Sequence, residues 1–250
     1  MRILFTICGR AGSKGIKNKN IRLFLGKPLP LYTLSAIDLY LCRKPDINAD
    51  IVFNTDSKEL IQIAENNHMR AVDTIIREAS LGGDKVAKTA VILDCLRQME
   101  ERKHCKYDMV VDLDITSPLR TVEDINNLIN KKITTCCDVV FSVTDSRRNP
   151  YFNMVKKLEK GYARVIEADF VTRQEAPEIF DMNASMYAYA PEYLKSGKGV
   201  LDGYCEIIKM YDTGILDLDH ENDFELMEVI ARYLYEKKPI FAEIRNHIGN

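Results

Sequence analysis

The sequence of 250 residues contains no tryptophan, only four histidines and few glycines or prolines. It also lacks a surplus of positive charge: the formal net charge is −2, which argues against a general nucleic-acid binder. No apolar run is long enough to span a bilayer, and the apolar segment after Met1-Arg2 is too short for a signal peptide. We therefore expect a cytoplasmic protein whose basic groups, where it needs them, are concentrated locally.

Seven cysteines are present, an odd number, and no two of them have the CxxC spacing of a zinc site. Most lie in apolar runs, which favours reduced thiols in the core: Cys8, Cys42, Cys95, Cys136 and Cys205. The sequence thus predicts neither a disulfide framework nor a zinc centre.

Short apolar runs alternate with helical patterns along the first part of the chain. Residues 3–8, 51–53, 109–113 and 138–143 read as buried strands. Pro28 suits the first turn of a helix, Asp56 with Glu59 suits a helix start, and Thr121 with Asp124 predicts a capping box. This alternation predicts an α/β fold with three layers and a mostly parallel central sheet.

The pattern changes after residue 144. Residues 151–158 and 162–166 flank Glu159-Lys160-Gly161 and predict a β-hairpin. Residues 184–190 and 205–210 read as later strands, and residues 224–234 as a helix. We expect a single domain over residues 1–250, with an insert at about 145–180 that contains the hairpin.

A basic, glycine-containing loop follows the first strand directly: Gly9-Arg10-Ala11-Gly12-Ser13-Lys14-Gly15-Ile16-Lys17-Asn18-Lys19-Asn20. Ligands of open α/β sheets bind beyond the carboxyl ends of the strands, and glycines let backbone amides approach a ligand closely. The loop suits a triphosphate, although its composition also fits a solvated basic loop. Neither the Walker A nor the GxGxxG spacing is present, which disfavours kinases, GTPases and dehydrogenases.

The string GRAGSKGIKNKNI at residues 9–21, with GKPL at residues 26–29, resembles the start of the acylneuraminate cytidylyltransferases (CMP-sialic acid synthetases). Their signature is close to ARGGSKGIPxKNI, so Gly9 and Ala11 stand where the family usually has Ala and Gly. The resemblance extends to about residue 226. It implies a Rossmann-like nucleotidyltransferase fold, CTP as co-substrate, Mg²⁺ (with Mn²⁺ as a substitute) and a homodimer paired through the hairpin insert.

Further segments resemble the nucleotide-binding motifs of this family. NTDS at residues 54–57 is similar to STDS, and REASLGGD at residues 77–84 is similar to RPxxLAxD. By this resemblance Arg77 approaches the cytosine or ribose, while Lys88 meets the base or a phosphate, or caps the pocket. The implied nucleotide-binding residues are Gly9, Arg10, Ala11, Gly12, Ser13, Lys14, Lys19, Asn20, Arg77, Lys88 and Asp114.

LDITSPLR at residues 113–120 resembles the family motif LQPTSPLR, with Asp114 in place of Gln. The CMP-legionaminic acid synthase subgroup has a comparable DLDxSxPLR form. Since Asp112 and Asp114 alternate along a strand, we expect them to point to opposite faces, with Asp114 in the pocket and Asp112 bonded to a structural partner.

Asp217-Leu218-Asp219 has the i, i+2 spacing that puts two carboxylates on one side of an extended segment. Such a pair suits Mg²⁺, but also a solvated turn or a helix cap. With Asn222-Asp223-Phe224 it resembles the family's DIDTxxDF motif, which implies that Asp217 and Asp219 bind the metal. Asp223 is predicted to lie at a helix terminus.

Residues 172–177 and 181–187 resemble the RRQ…P and NGxxY segments that line the sugar pocket of the family, and residues 147–152 resemble the legionaminate-type members. A guanidinium can hold a carboxylate bidentately, so Arg173 suits the C1 carboxylate of the sugar acid. Tyr187 fits the core as well as a ligand contact. The predicted substrate-binding residues are Thr116, Ser117, Arg120, Arg173, Gln174, Asn183 and Tyr187.

The resemblance implies transfer of CMP from CTP to the anomeric hydroxyl of a nonulosonic acid, legionaminic acid or a derivative, with release of pyrophosphate. Alternatives are N-acetylneuraminate, pseudaminate or Kdo as acceptor, a CTP-binding module without catalysis, and a structural protein that assembles through its hairpin. The predicted catalytic residues are Arg10, Lys14, Lys19, Asp217 and Asp219.

Overall fold

A seven-stranded sheet organises the molecule. The computed structural model describes residues 1–12, 16–83, 86–170, 172–212, 218 and 220–249, with only the backbone of Arg173. The strands are β1 (Arg2–Cys8), β2 (Leu23–Phe24), β3 (Lys27–Pro28), β4 (Asn48–Thr55), β5 (Asp73–Ile76), β6 (Met109–Leu113), β7 (Val139–Asp145), β8 (Val155–Lys157), β9 (Tyr162–Arg164), β10 (Phe180–Tyr189) and β11 (Cys205–Lys209).

Side-chain caps mark where two of the helices begin. The Thr121 hydroxyl accepts a hydrogen bond from the Asp124 amide, and the Asp124 carboxylate accepts one from the Thr121 amide, so the predicted capping box is confirmed. In the helix after β4, Ser57 is the cap instead of Asp56, and its hydroxyl accepts from the Leu60 amide at 3.3 Å. The helices are α1 (Leu29–Arg43), α2 (Lys58–Glu65), α3 (Lys88–Lys103), α4 (Val122–Thr135), α5 (Pro191–Lys195), α6 (Glu221–Lys237) and α7 (Pro239–His247).

The strand order of the main sheet is β11-β7-β10-β6-β1-β4-β5. Only β10 runs antiparallel to its neighbours β6 and β7, whereas the other adjacent pairs within the described residues are parallel. The predicted, mostly parallel α/β sheet is therefore confirmed. Because β1 pairs in parallel with both β4 and β6, the carboxyl ends of these three strands meet at one edge of the sheet, where ligands of such sheets bind.

Two hydrophobic cores cover the faces of the sheet, as the alternation of side chains along a strand requires. In β1, Ile3, Phe5 and Ile7 point into the larger core, which includes residues of α1, α4, α6 and α7. Leu4 points into the opposite core, which includes residues of α3 and α5. No helix in the described part of the chain is both long and apolar enough to cross a membrane.

The sequence did not predict β5 or α7. β5 has four residues and lies at the sheet edge, where Ile76 is 72% exposed, so it lacks the buried apolar run that marks the other strands. α7 begins at Pro239, shortly after α6 ends at Lys237. The apolar pattern of the sequence did not show where the first helix ends and this short second helix begins.

The predicted core position of the cysteine thiols is wrong for two of them. All seven cysteines are free, but Cys42 and Cys136 are exposed. Cys136 has φ 52° and follows the last turn of α4, so it lies in a surface turn despite its apolar neighbours. Cys95, by contrast, is buried as predicted.

The predicted hairpin is present. β8 and β9 pair antiparallel in their own two-stranded sheet, with Val155 opposite Arg164 and Lys157 opposite Tyr162. Gly161 has φ 83°, a left-handed conformation that glycine adopts without steric cost. Val155 and Tyr162 are 63% and 71% exposed, so this sheet leaves apolar side chains in contact with water.

An irregularity in β10 generates a stability prediction. The register with β7 shifts between Met182 and Tyr187, and within this interval Ala184 has φ 50°. A left-handed conformation costs a residue with a Cβ roughly 1–2 kcal/mol, whereas glycine loses roughly 0.5–1 kcal/mol more chain entropy on folding. We expect Ala184→Gly to raise the free energy of unfolding by up to about 1 kcal/mol, measured by urea denaturation. Ala188→Gly in the regular part of the same strand is the control and should be destabilised; equal losses in both variants would contradict the prediction.

Candidate active site

A cleft of about 310 Å³ lies at the carboxyl ends of the parallel strands. The loops after β1, β5 and β6, together with the start of α3, form its walls. Four of its side chains are cationic and one is a carboxylate, which gives it a basic interior in a protein of slightly negative net charge. The lining residues are Cys8, Arg10, Lys19, Asn20, Arg77, Leu81, Gly82, Gly83, Val86, Lys88, Val91, Asp114 and Thr116.

Hydrogen bonds hold the start of the basic loop (residues 9–20) against the end of β4. The Gly9 amide donates to the Asn54 carbonyl at 3.1 Å, and the Ala11 amide donates to Asp56 Oδ1 at 2.6 Å. The predicted helix-start role of Asp56 is therefore wrong: its carboxylate fixes the basic loop, and the neighbouring Ser57 caps α2. Ser13, Lys14 and Gly15 lie outside the described residues.

The far end of the basic loop contacts the segment Asp217-Leu218-Asp219, which we call the acidic segment. Lys19 Nζ donates a hydrogen bond to the Leu218 carbonyl at 2.7 Å, across 199 positions of sequence. Leu218 itself is 1% exposed and belongs to the larger core. This contact brings the acidic segment to the basic loop; Asp217 and Asp219 themselves lie outside the described residues.

Arg77 follows β5 and lines the cleft, and two hydrogen bonds to Asn54 hold its guanidinium. Its Nε donates to Asn54 Oδ1 at 2.7 Å, and a terminal nitrogen donates to the Asn54 carbonyl at 3.0 Å. Arg77 is 8% exposed, so these two bonds hold the guanidinium in one orientation. The arrangement leaves Arg77 in the predicted place beside the cleft, and its contact with a nucleotide stays a prediction.

Lys88 joins two carboxylates at the end of β6. Its Nζ lies 2.8 Å from Asp112 Oδ2 and 2.8 Å from Asp114 Oδ2. The prediction that the two aspartates point to opposite faces is wrong, since residues two apart in a strand share one face. Asp112 also has the predicted structural partner, because its Oδ1 accepts from the Thr6 hydroxyl at 2.7 Å.

Burial and charge act against each other in this group. Burial alone would raise the pKa of Asp114, but the Lys88 ammonium and the hydrogen bonds from Thr116 hold it well below its usual range. Burial alone would lower the pKa of Lys88, but Asp112 and Asp114 outweigh it and raise that pKa well above the usual value. Lys88 and Asp114 are thus both charged at neutral pH, and Asp114 is a hydrogen-bond acceptor and a poor base.

Residues of the TSPLR motif support the floor of the cleft. Arg120 is 1% exposed and donates to the carbonyl of Asp114 and to the Thr33 hydroxyl. Burial lowers the pKa of Arg120 to about 10, so it stays protonated at neutral pH. Ser117 Oγ donates to Ser185 Oγ at 2.7 Å, and Thr116 is the member of the motif that lines the cleft.

Most of the other predicted sugar-binding residues that the structure describes do not line this cleft. Asn183 is 8% exposed, and its Oδ1 accepts from the Ser142 hydroxyl at 2.6 Å. Tyr187 stacks on Tyr189 with ring centroids 5.9 Å apart. Gln174 is exposed in a short 3₁₀ turn, and the side chain of Arg173 lies outside the described part of the structure. Among the described members of this set, Thr116 alone lines the cleft.

Whether Mg²⁺ suits the site depends on the side chains that could act as its ligands. The described residues contain no cluster of three or more His, Cys, Asp or Glu side chains that could hold a metal ion. Magnesium usually needs only one or two protein carboxylates, with phosphate oxygens and waters as its other ligands. The acidic segment offers two carboxylates next to the residue that Lys19 holds at the basic loop, so its chemistry fits the ion.

The positioning roles of Asn54 and Asp56 were missed from the sequence, and so was the contact of Asp112 with Lys88. The signal for Asp56 was its place directly after a strand that neighbours β1, where its side chain reaches the basic loop. The signal for Asp112 was the two-residue spacing from Asp114, which puts both carboxylates on one face.

The fold and the cleft define an α/β nucleotide-binding protein with a basic loop after its first strand. Over residues 4–239 the chain matches the family described as cytidylyltransferase, and it belongs to that family. The family resemblance stated from the sequence is therefore confirmed.

Two curated relatives match over nearly their whole length. The chain is 34% identical over 230 residues to post-translational flagellin modification protein B of Campylobacter coli, which covers 92% of this chain and 95% of that protein. It is 33% identical over 228 residues to CMP-N,N'-diacetyllegionaminic acid synthase of Campylobacter jejuni, with 91% and 94% covered.

A solved structure of CMP:2-keto-3-deoxy-manno-octonic acid synthetase complexed with CTP superposes with a TM-score of 0.65 over 94% of this chain and 100% of that chain. The two sequences are 14% identical, so this likeness concerns the fold alone. It confirms the predicted Rossmann-like nucleotidyltransferase fold.

The close approach of Gly9 to its neighbours generates a prediction. A Cβ at Gly9 would lie 2.7 Å from Ile115 Cδ1 and 2.9 Å from Leu60 Cδ1. We expect Gly9→Ala to cost roughly 1–3 kcal/mol of unfolding free energy, because the packed side chains must move.

Ile115→Val removes the nearer atom and is the matched partner in a double-mutant cycle. The double variant should be less destabilised than the sum of the two single variants, as measured by chemical denaturation. Strict additivity would show that the two positions do not compete for this space.

Proposed function

We propose that this chain transfers CMP from CTP to the anomeric hydroxyl of a nonulosonic acid, with legionaminic acid or a derivative as acceptor, and releases pyrophosphate. The name of the Campylobacter jejuni relative, CMP-N,N'-diacetyllegionaminic acid synthase, supports this acceptor. The observation that carries the proposal is the hydrogen bond from Lys19 Nζ to the Leu218 carbonyl at 2.7 Å. It brings Leu218, the residue between Asp217 and Asp219, to the basic loop, which supports a single site for the triphosphate and a cation.

In this mechanism the basic loop binds and neutralises the triphosphate. Arg10, Lys14 and Lys19 would contact its non-bridging oxygens, and backbone amides of the glycine-containing segment would add donors. The acceptor hydroxyl oxygen forms a bond to the α-phosphorus and releases its proton to solvent. The bond between the α-phosphorus and the oxygen that bridges it to the β-phosphorus breaks, and pyrophosphate leaves. The side chains of Arg10, Lys14 and Lys19 would stabilise the negative charge that develops on the departing pyrophosphate, which lowers the barrier to transfer.

Asp217 and Asp219 would hold Mg²⁺, for which Mn²⁺ is a candidate substitute. When bound, the ion supplies Lewis-acid stabilisation of phosphate charge and lowers the pKa of the acceptor hydroxyl. Lys19 positions the acidic segment through the Leu218 carbonyl. Arg77, already oriented by Asn54, would donate to the acceptor edge of cytosine or to the ribose.

The sugar acid would bind next to the β6 end of the cleft. Thr116 lines that end, and Arg173 is the candidate for the C1 carboxylate. Ser117, Arg120 and Asn183 make buried hydrogen bonds, so we assign them to the support of the pocket wall. Gln174 and Tyr187 stay candidates for hydroxyl or acetamido contacts.

We further propose that residues 1–250 form one catalytic domain and that the insert at about 145–180 pairs two copies into a homodimer. An isolated two-stranded hairpin is only marginally stable in water, and the β8–β9 hairpin exposes Val155, Leu158 and Tyr162. Burial of these side chains against a second copy would remove apolar surface from water.

A substrate panel tests the reaction. With CTP and Mg²⁺, pyrophosphate release should be fastest with legionaminic acids and slower with N-acetylneuraminic, pseudaminic and Kdo acids. CTP-dependent thermal stabilisation without release of pyrophosphate for any acid would instead support a binding module without catalysis.

Removal of a proposed metal ligand tests the acidic segment. We expect Asp219→Ala to lower turnover at least about a hundredfold, because charge on the leaving group is no longer stabilised, while the circular dichroism spectrum is unchanged. Glu236→Gln, an exposed substitution on α6, is the control and should keep full turnover. Near-normal activity of Asp219→Ala with added Mg²⁺ would contradict the assignment.

Two tyrosine variants test the hairpin interface. Tyr162→Lys on the hairpin should shift the protein towards monomer in sedimentation experiments, since a charge would be buried in the interface. Tyr233→Lys, at a tyrosine of α6 that is 59% exposed, should leave the oligomeric state unchanged. The opposite pattern would move the interface to α6.

A further inference from the structure

The Lys88–Asp114 pair has hydrogen-bonding capacity that its protein partners do not fill. An ammonium group has three N–H donors, and Asp112 and Asp114 lie at contact distance of Lys88 Nζ. A carboxylate has about four acceptor positions. Asp114 Oδ1 accepts from the Thr116 amide at 2.8 Å and from the Thr116 hydroxyl at 2.7 Å, and Oδ2 accepts from Lys88. At least one donor of Lys88 and one acceptor position of Asp114 are therefore left over.

Both side chains are accessible from the cleft. The side chains of Lys88 and Asp114 are 36% and 26% exposed, and both line the cleft. Asp112, in contrast, has a fully buried side chain that is fixed by Thr6 and Lys88. The cleft therefore presents a donor beside an acceptor, and Asp112 lies behind them.

Lys88 is already paired with acidic side chains. Its Nζ lies 2.8 Å from Oδ2 of Asp112 and 2.8 Å from Oδ2 of Asp114, at the end of β6. An ammonium that is already paired with two carboxylates offers little net charge to a phosphate. The surroundings of Lys88 thus differ from those of an anion-binding lysine.

We propose that Lys88 and Asp114 act as one neutral recognition unit, which binds a substrate group that carries a donor next to an acceptor, with Asp112 as the positioning residue. This inference takes the identity of the two substrates from the proposed function and rests on it in that respect. The cytosine edge, with its amino group beside a ring nitrogen, has this chemistry, and so has an amide or hydroxyl of the sugar acid.

Four variants test the unit: Lys88→Met, Asp114→Asn, the double variant and Thr116→Val. Each single variant at 88 or 114 should raise the KM of one substrate about tenfold, because a charged partner loses its bond. In the double variant, the amide group introduced by Asp114→Asn offers both a donor and an acceptor to the substrate. The increase in KM should therefore be smaller than the product of the two single increases. A loss equal to the product of the two single effects would overturn the proposal.

The substrate affected identifies the source of the bound group. If the group is cytosine, calorimetry should show weaker CTP binding and a smaller preference for CTP over UTP. If it belongs to the acceptor, CTP binding should be unchanged and the KM of the sugar acid should rise. A shift in neither substrate would refute the unit.

Binding of inorganic pyrophosphate distinguishes this role from simple phosphate binding. The measurement needs no turnover, so it is informative even if the proposed reaction fails. Lys19→Met should weaken pyrophosphate binding, whereas Lys88→Met should leave it within about threefold, because the Lys88 charge is already paired. Equal weakening in both variants would make Lys88 a phosphate-binding cation and overturn the proposal.

Asp112→Asn tests the positioning role, and Thr116→Val covers the case in which Lys88→Met does not fold. Asp112→Asn should raise the same KM as Lys88→Met and tighten pyrophosphate binding at low salt, because one positive charge is released. A purely structural role would lower thermal stability without tightening pyrophosphate. Thr116→Val removes one donor to Asp114 without a charge change and should raise the same KM about threefold; no effect would count against the unit.

Discussion

Parallel pairing of β1 with β4 on one side and β6 on the other is the constraint from which the site follows. It fixes where these strands end, so the loops that leave them must share one edge of the sheet. The Gly9 amide bonds to the end of β4, and the Ala11 amide bonds to Asp56 just beyond it. At its other end the basic loop contacts Leu218 through Lys19. The loop is thus held at both ends by distant segments.

The electrostatics of the cleft depend on a cluster of opposite charges at its β6 end. A buried charge without a partner costs several kcal/mol, so Asp112 and Asp114 can share one strand end only because Lys88 and Arg120 lie beside them. Arg120 adds a second function, since it donates to the Asp114 carbonyl and fixes the backbone that carries Thr116. The cluster supplies orientation, and the positive potential of the cleft comes from Arg10, Lys19 and Arg77, three other lining residues.

Much of the fold could be predicted because its signals are local. Buried parallel strands are continuous apolar runs, and the Thr121–Asp124 box and the turn at Gly161 are short-range patterns. The edge strand β5 lacked such a signal. In the site, the basic loop and the acidic segment were visible as charge patterns, but the buried roles of Arg120 and Asn183 were not. Their partners, Thr33 and Ser142, are distant in sequence, so only the packed structure shows that these polar side chains face inward.

The departures from the family motifs become intelligible as compensating pairs. Gly9 stands where the family usually has Ala, and Ile115 stands at the Pro of LQPTSPLR; Ile115 Cδ1 occupies the space that a Cβ at residue 9 would need. Asp114 replaces a neutral Gln, and Lys88 neutralises the added charge at 2.8 Å. In the first pair, the side chain of Ile115 fills the volume that the missing Cβ of Gly9 leaves. In the second pair, Lys88 compensates the charge that Asp114 adds. A comparison of single positions would score Gly9, Ile115 and Asp114 as three separate mismatches. The contacts with Ile115 and Lys88 instead make them two paired substitutions that preserve the shape and the net charge of the cleft.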